Sequence, residues 1–361
     1  RRGRHPPAEG GTRAARLLTE SALSGETTER LFLMGTPIRI GIAGYGNLGR
    51  GVETALARNP DMKLVGVFSR RDPSAIALRD PAVPVHALAR AADFADAIDV
   101  MILCGGSKSD LPEQGPALAA LFNTVDSFDT HARIPEYFDA VDAAARGGGH
   151  VALISVGWDP GLFSLSRMIC QAMLPQGSDY TFWGRGVSQG HSDAIRRIKG
   201  VRGAVQYTIP VEDAVKRVRS GENPALTARE KHLRDCYVVA DDGADKEAIA
   251  YEIRNMPNYF SDYDTSVTFI SDEELKEKHS AMPHGGFVIR SGSTGDGSSH
   301  VMEFSLKLGS NPAFTSGVLV ACARAAYRLG REGQTGARTM LDIAPAYYSP
   351  KAAAQLRGEV L

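Results

Sequence analysis

The chain has 361 residues, 43% of them hydrophobic and 23% charged, with a net charge of −1. This is the composition of a folded chain long enough for two domains, and it excludes disordered and fibrous classes as well as a whole-molecule field suited to nucleic acid or anionic membranes. No run reaches the roughly 18 apolar residues of a membrane span. The four cysteines, Cys104, Cys170, Cys236 and Cys322, form no CxxC pair, so free thiols in a reducing cytoplasm are expected rather than a disulfide framework, and no metal site is expected.

Residues 1–33 carry six Arg, four Glu and no Lys. The acidic residues argue against a transit peptide. The segment reads as an upstream, mis-assigned or disordered extension, with Met34 as a natural start. From Ile38 onward, apolar runs alternate with helical segments, the pattern of a parallel α/β sheet. "IRIGIA" (38–43) and "KLVGVFS" (63–69) read as strands flanking a turn and helix at 46–60. "DVMILCG" (99–105) is a later buried strand, and Asp110 with Glu113 has the spacing of a capping box. "NTVDSFD" (123–129) and "HVALISVGWDPG" (150–161) read as strands running into polar turns, with an amphipathic helix at 134–146 between them. Beyond Gly161, alternating segments at 179–186, 204–210, 235–241, 263–271, 286–292 and 300–309 predict a mainly antiparallel sheet. A last helix at 314–331 is expected to pack back on the first part. The expected division is a Rossmann-type dinucleotide-binding domain at 34–157, joined by 311–361, and an α+β substrate and dimerisation domain at 158–310.

"GYGNLG" (44–49) is a GxGxxG turn directly after a strand and opening a helix, the context that makes the pattern a dinucleotide site. Gly44 serves the tight turn, Gly46 the approach of the pyrophosphate and Gly49 close helix–sheet packing, with Tyr45, Asn47 and Leu48 in the same loop. An NAD site needs an acid at the end of the second strand. Here that place holds Ser69, Arg70 and Arg71. Arginines bind a dianionic 2′-phosphate through charge-assisted hydrogen bonds, whereas a carboxylate repels it, so NADP is the expected cofactor. Later strand ends border the same crevice, which adds Cys104, Gly105, Gly106 and Ser107, then Ser127 and Phe128, then Val156, Gly157, Trp158 and Pro160. Cys104 is also open to a reading as a thioester-forming nucleophile, although no histidine base lies near it in the sequence. Asp129 and Asp159 each close a strand, and two carboxylates at this end of the crevice suit an ammonium-bearing substrate; turn-forming or capping roles stay open for both.

The motifs "GYGNLGR", "FSRR", "GWDPG", "TFWGRGVSQGHSDAIRRI", "MPHGG" and "KLGSNPAFT", in this order, resemble those of the meso-diaminopimelate dehydrogenase family from Met34 almost to the C-terminus. The resemblance implies a homodimeric, NADP-dependent enzyme that oxidatively deaminates the D-centre of meso-2,6-diaminopimelate in lysine and peptidoglycan precursor synthesis. The products are L-2-amino-6-oxopimelate, which cyclises to tetrahydrodipicolinate, ammonia and NADPH. It implies substrate contacts from Asp129, Asp159, Trp183, Thr208, Arg234, His284 and Asn311. Asp159 and then Asp129 are the candidates for orienting the amine or water. On residue type alone, Arg234 beside Lys231 and His232 also reads as a surface basic cluster.

Overall fold

The computed structural model describes residues 36–295 and 297–361; the Arg-rich segment at 1–33 and Met34 lie outside them. Strand β1 (Ile38–Ala43) is followed by helix α1 (Asn47–Leu56) and strand β2 (Met62–Ser69). The short β3 (Val85–Ala87), β4 (Val100–Leu103), α2 (Leu111–Ala119), β5 (Asn123–Asp126), α3 (Ile134–Gly148) and β6 (Val151–Leu153) come next. With β14 (Gly336–Arg338) they form a seven-stranded sheet in the order β14-β6-β5-β4-β1-β2-β3, and every pairing in it is parallel. The strand order turns at β1: β2 lies on one side and β4 on the other. Ligands of open α/β sheets bind at such a point, beyond the carboxyl ends of the strands.

The sheet is buried on both faces, which is why β1 and β4 read as nearly continuous apolar runs. On one face Ile40, Ile42 and Ile102 pack with Val52 of α1 and with Leu319, Val320 and Cys322 of the long helix α10 (Asn311–Arg331). On the other, Met101 and Leu103 pack with Leu118 of α2 and with Tyr137 and Val141 of α3. The last helix therefore returns to the first sheet, beginning at Asn311 rather than 314.

Between Gly161 and Ser310 the chain folds into two smaller sheets rather than one. One holds β7 (Gln176–Trp183), β12 (His284–Ser293) and β13 (Ser299–Leu308), antiparallel in the order β13-β12-β7. The other holds β8 (Gly186–Val187), β9 (Val201–Pro210), β10 (His232–Ala240) and β11 (Asp264–Phe269) in the order β11-β10-β9-β8. Its β10–β11 pair is parallel, because helix α8 (Lys246–Asn255) carries the chain back between them. The chain passes from one sheet to the other across Gly184 and Arg185, so Trp183 ends beside the strand that carries Thr208.

The expected capping box does not form. The Asp110 carboxylate turns back to accept the Gly106 N–H at 2.9 Å and pairs with Arg70, so it makes no cap bond to α2. A longer-range anchor is Arg324 on α10, whose side chain is 2% exposed. It donates to both oxygens of Asp61, to Asn59 and to the Tyr348 carbonyl. Asp61→Ala removes the counter-charge of a buried cation, and the expected loss is about 2–3 kcal/mol in urea unfolding, below the fully buried range because Asp61 is partly exposed. A change under about 0.5 kcal/mol would show that the pair contributes little.

Candidate active site

At the end of β1 the backbone enters the left-handed region at Gly44, with φ of +95°, and turns into α1. Gly49 faces the Gly44 carbonyl so closely that a Cβ there would lie 2.3 Å from it, so the helix can follow the strand only with glycine at this position. Gly46 is the N-cap of α1 and supplies no side-chain cap, and the space where its Cβ would stand is open. Uncapped N–H groups, a helix N-terminus and free space make a cradle for a pyrophosphate. A cleft of about 480 Å3 begins there, lined by Gly44, Tyr45, Gly46, Ser69, Arg70, Arg71, Cys104, Gly105 and Asp110. The Ser69 hydroxyl accepts the Arg71 N–H at 3.0 Å, and the Arg71 guanidinium donates to the Tyr45 carbonyl. Arg70 is exposed and reaches Asp110 at 2.6 Å. These residues fit a phosphorylated ribose. Cys104 does not fit a nucleophile's place: burial pushes its thiol far up, and the hydrogen bond its Sγ makes is a long one to the Ile102 carbonyl.

A second cavity of about 480 Å3 opens over the ends of β5 and β6. Asn47, Leu48, Ser127, Asp129, Val156 to Pro160, His284 and Asn311 line it together with Ser188 and Gln189. Asp159 is held as an acceptor. Arg167 on α4 (Leu162–Met173) donates to its two oxygens at 3.1 and 2.9 Å, and the Trp183 indole N–H donates at 2.8 Å. Asp129 is exposed, and its backbone N–H donates to the Ser107 hydroxyl at 2.9 Å. The Trp158 indole donates to Asn311 Oδ1 at 3.0 Å and its ring lies 4.6 Å from that of His284. Burial pushes His284 below the usual histidine range.

Thr208 and Arg234 are directly opposite on β9 and β10. The Arg234 guanidinium donates to the Thr208 hydroxyl and lies 3.9 Å over the Tyr263 ring. It is buried, and its Nε has no partner among the described residues. Burial lowers its pKa, and the groups favouring its charge are Tyr263 and Cys236 rather than a carboxylate. Two residues before it, His232 is buried as well, so these two are not part of a surface basic cluster. The Trp183 backbone N–H donates to His232 Nε2 at 2.9 Å, and the two rings stack at 5.4 Å. Burial, with Arg234 and Lys231 nearby, pushes His232 down to about 3, which keeps the ring neutral and able to accept.

Residues 157–310 match the family model described as "Diaminopimelic acid dehydrogenase C-terminal domain". A meso-diaminopimelate D-dehydrogenase of Ureibacillus thermosphaericus is 63% identical over 324 residues, covering 90% of this chain and 99% of that protein. The chain belongs to the meso-diaminopimelate D-dehydrogenase family. Two solved structures have the same fold. A mutant meso-diaminopimelate dehydrogenase of Clostridium tetani with DAP is 52% identical, with a TM-score of 0.85 over 90% of this chain and 100% of its own. An engineered D-amino acid dehydrogenase bound to NADP+ is 46% identical, with a TM-score of 0.78 over the same shares.

Against this family background, the residues expected from sequence fall into three groups. The cofactor residues from Gly44 to Gly46, Ser69 to Arg71, Cys104 and Gly105 share one cleft. Asp129, Asp159, His284 and Asn311 share the second, with Asn47, Leu48, Ser127 and Val156 to Pro160. Trp183, Thr208 and Arg234 are in neither lining; Trp183 reaches Asp159 through its indole, and Thr208, opposite Arg234, pairs with Gly186 beside Val187 of the second cavity. Gly106 contacts Asp110, and the Phe128 ring is buried on Tyr137 with centroids 4.1 Å apart; neither residue is in either lining. Sequence reasoning missed Arg167, His232 and Asp126. The only signal for Arg167 was its place about two turns along the helix after "GWDPG"; for His232 it was alternation with Arg234.

Because His232 is neutral in the fold and takes up a proton near pH 6.5 when unfolded, stability is fully present above that pH and falls as pH drops toward 3. From this residue the loss between pH 7 and 5 is up to about 2 kcal/mol. His232→Gln keeps an acceptor for the Trp183 N–H but not the titration, so its urea midpoint is expected to fall less steeply over that range. Parallel pH profiles for the two proteins would refute this account.

Proposed function

We infer that the crevice carries out NADP-dependent oxidative deamination of the D-centre of meso-2,6-diaminopimelate. In the reaction, substrate, NADP+ and water give L-2-amino-6-oxopimelate, ammonia, NADPH and a proton, reversibly. The chain is an oxidoreductase acting on a CH–NH2 group. The observation that carries the residue-level reading is the charge pattern. A guanidinium buried without a carboxylate among the described residues, Arg234, lies across β9 from Gly186 and Val187, and Val187 lines the cavity that also carries Asp129 and Asp159. A long zwitterion with an amino-acid group at each end matches that pattern.

Bound NADP+ supplies the hydride acceptor. In this reading the Gly44–Leu48 loop and the N-terminus of α1 hold its pyrophosphate, while Ser69, Arg70 and Arg71 take the 2′-phosphate. Arg234 clamps the distal carboxylate and Thr208, His284 and Asn311 add hydrogen bonds. Trp183 walls the aliphatic spacer. As the α-C–H bond breaks, positive charge builds on the substrate's C–N unit, and carboxylates fixed beside it stabilise that charge. Asp159, gripped by Arg167 and Trp183, acts as a positioning acceptor. Asp129, exposed to the pocket, orients the amine and then the water that attacks the imine.

We also propose that the protein works as a homodimer in the cytoplasm. Among the described residues no helix is long and apolar enough to cross a membrane, and Cys104, Cys170, Cys236 and Cys322 are all free, as a reducing compartment requires.

The purified protein is expected to reduce NADP+ with meso-diaminopimelate and to be inert with the LL isomer; equal rates with the two would defeat the stereochemical claim. In the Arg70→Ala/Arg71→Ala double variant, loss of two charge-assisted contacts is expected to raise the NADP+ KM at least about tenfold and leave that for NAD+ nearly unchanged. An unaltered cofactor preference would remove the arginines from the phosphate site.

A further inference from the structure

Asp126 closes β5 one layer behind the crevice and is 1% exposed. Its Oδ1 accepts two backbone N–H groups from different loops, Phe128 at 2.9 Å and Ser155 at 3.2 Å. Its own carbonyl accepts the Val156 N–H at 3.0 Å. The Phe128 loop leads directly to Asp129, and the Ser155–Val156 loop leads to Asp159. Ser155 sits at φ of +54°, in the left-handed region that non-glycine residues adopt at a cost. A bond to its N–H from a buried carboxylate helps to hold it there. The second oxygen, Oδ2, accepts the Tyr137 hydroxyl at 2.7 Å. Tyr137 is fixed in turn by its stack on Phe128 and by Gly115, where a Cβ would lie 2.1 Å from the Tyr137 hydroxyl oxygen.

We propose that Asp126 is a positioning residue for the reaction: its carboxylate fastens the β5 and β6 loops to each other and so sets the separation of Asp129 and Asp159 across the pocket. The inference rests on the reading of that pocket given above. The hydrogen bonds of Asp126 go to the Phe128, Ser155 and Val156 backbone and to Tyr137, none of which lines the phosphate cleft, so its loss acts first on the β5 and β6 loops. Burial pushes its carboxyl up to about 6, against the two N–H groups and the Tyr137 hydroxyl that hold it down. Such a costly buried group is retained here by its three donors.

The clamp depends on an acceptor, not on charge. In Asp126→Asn the amide oxygen can still accept from Phe128 and Ser155, while its NH2 donates to the Tyr137 oxygen. Asp126→Ala removes all three bonds. In steady-state assays of the full chain, Asp126→Ala is expected to raise the KM for meso-diaminopimelate and lower kcat, each at least tenfold. The NADP+ KM should stay within twofold, and Asp126→Asn should recover both altered constants to within about threefold of wild type. A folded Asp126→Ala protein with wild-type constants overturns the proposal, as does a parallel rise in the NADP+ KM. Should Asp126→Ala fail to fold, Tyr137→Phe carries the test: removal of one donor is expected to raise the substrate KM about threefold, and an unchanged value overturns the proposal. A wild-type protein that does not turn over meso-diaminopimelate defeats the reading of the pocket itself, an outcome distinct from an active wild type with an indifferent Asp126 variant.

Discussion

The second half of this protein buries a guanidinium, Arg234, that no carboxylate meets among the described residues. Isolated charges are expensive to remove from water, and proteins ordinarily pair them. Among the described residues Arg234 is met by the Thr208 hydroxyl and the Tyr263 ring, with Cys236 and a neutral histidine two residues to either side of it. Each neighbour tolerates the cation without neutralising it. His232 is neutral for the same reason, since burial and the adjacent cation both oppose its protonation. In the proposed binding mode a substrate carboxylate completes the arrangement, and the folded protein bears the cost of the unpaired cation until it arrives. Binding energy at this remote pole is then available to align the reacting carbon at the other.

The features legible in the sequence are those whose cause is local. Gly44, Gly46 and Gly49 read as a phosphate turn because six residues determine the geometry of the loop. The buried strands were visible in their apolar runs, and the arginines after β2 stand where the strand end puts them. The short β3 and β14 offered three residues each, too little for a periodic signal. The capping box failed for a tertiary reason: Arg70, forty residues earlier in the chain, and the Gly106 N–H compete for Asp110. The substrate residues were legible only as members of an ordered set of motifs. Taken singly, His284 or Arg234 has several equally ordinary explanations.

Residues that act through others left almost no trace. Arg167 reaches Asp159 and Thr181 from the flank of α4, and nothing in its neighbours' identities announces that. Asp126 is hidden at the end of an apolar strand, where an acid reads as the first residue of a turn. The glycine at 115, which makes room for Tyr137, reads as a weak point in a helix. In each case the partner comes from an element distant in sequence, so local pattern and propensity carry no information about it.

The charges follow the crevice in an order that constrains which way a ligand can lie. Arg70, Arg71 and Gly46 at the N-terminus of α1 line one cleft, Asp129 and Asp159 line the other, and the proposed binding mode puts Arg234 at its far end. A phosphate is favoured in the first cleft and opposed in the second, so a dinucleotide is held with its phosphates away from the acids. In the proposed binding mode a diamino diacid meets the opposite alternation, with an amine toward the acids and a remote carboxylate toward Arg234. Reversing it end for end presents the same groups, because the substrate carries an amino-acid unit at both ends. Charge alone therefore cannot choose between its two stereocentres. In the proposed binding mode, selection of the D-centre falls to the directions of the hydrogen bonds at the acidic end, which the proposed Asp126 clamp holds by fixing the β5 and β6 loops.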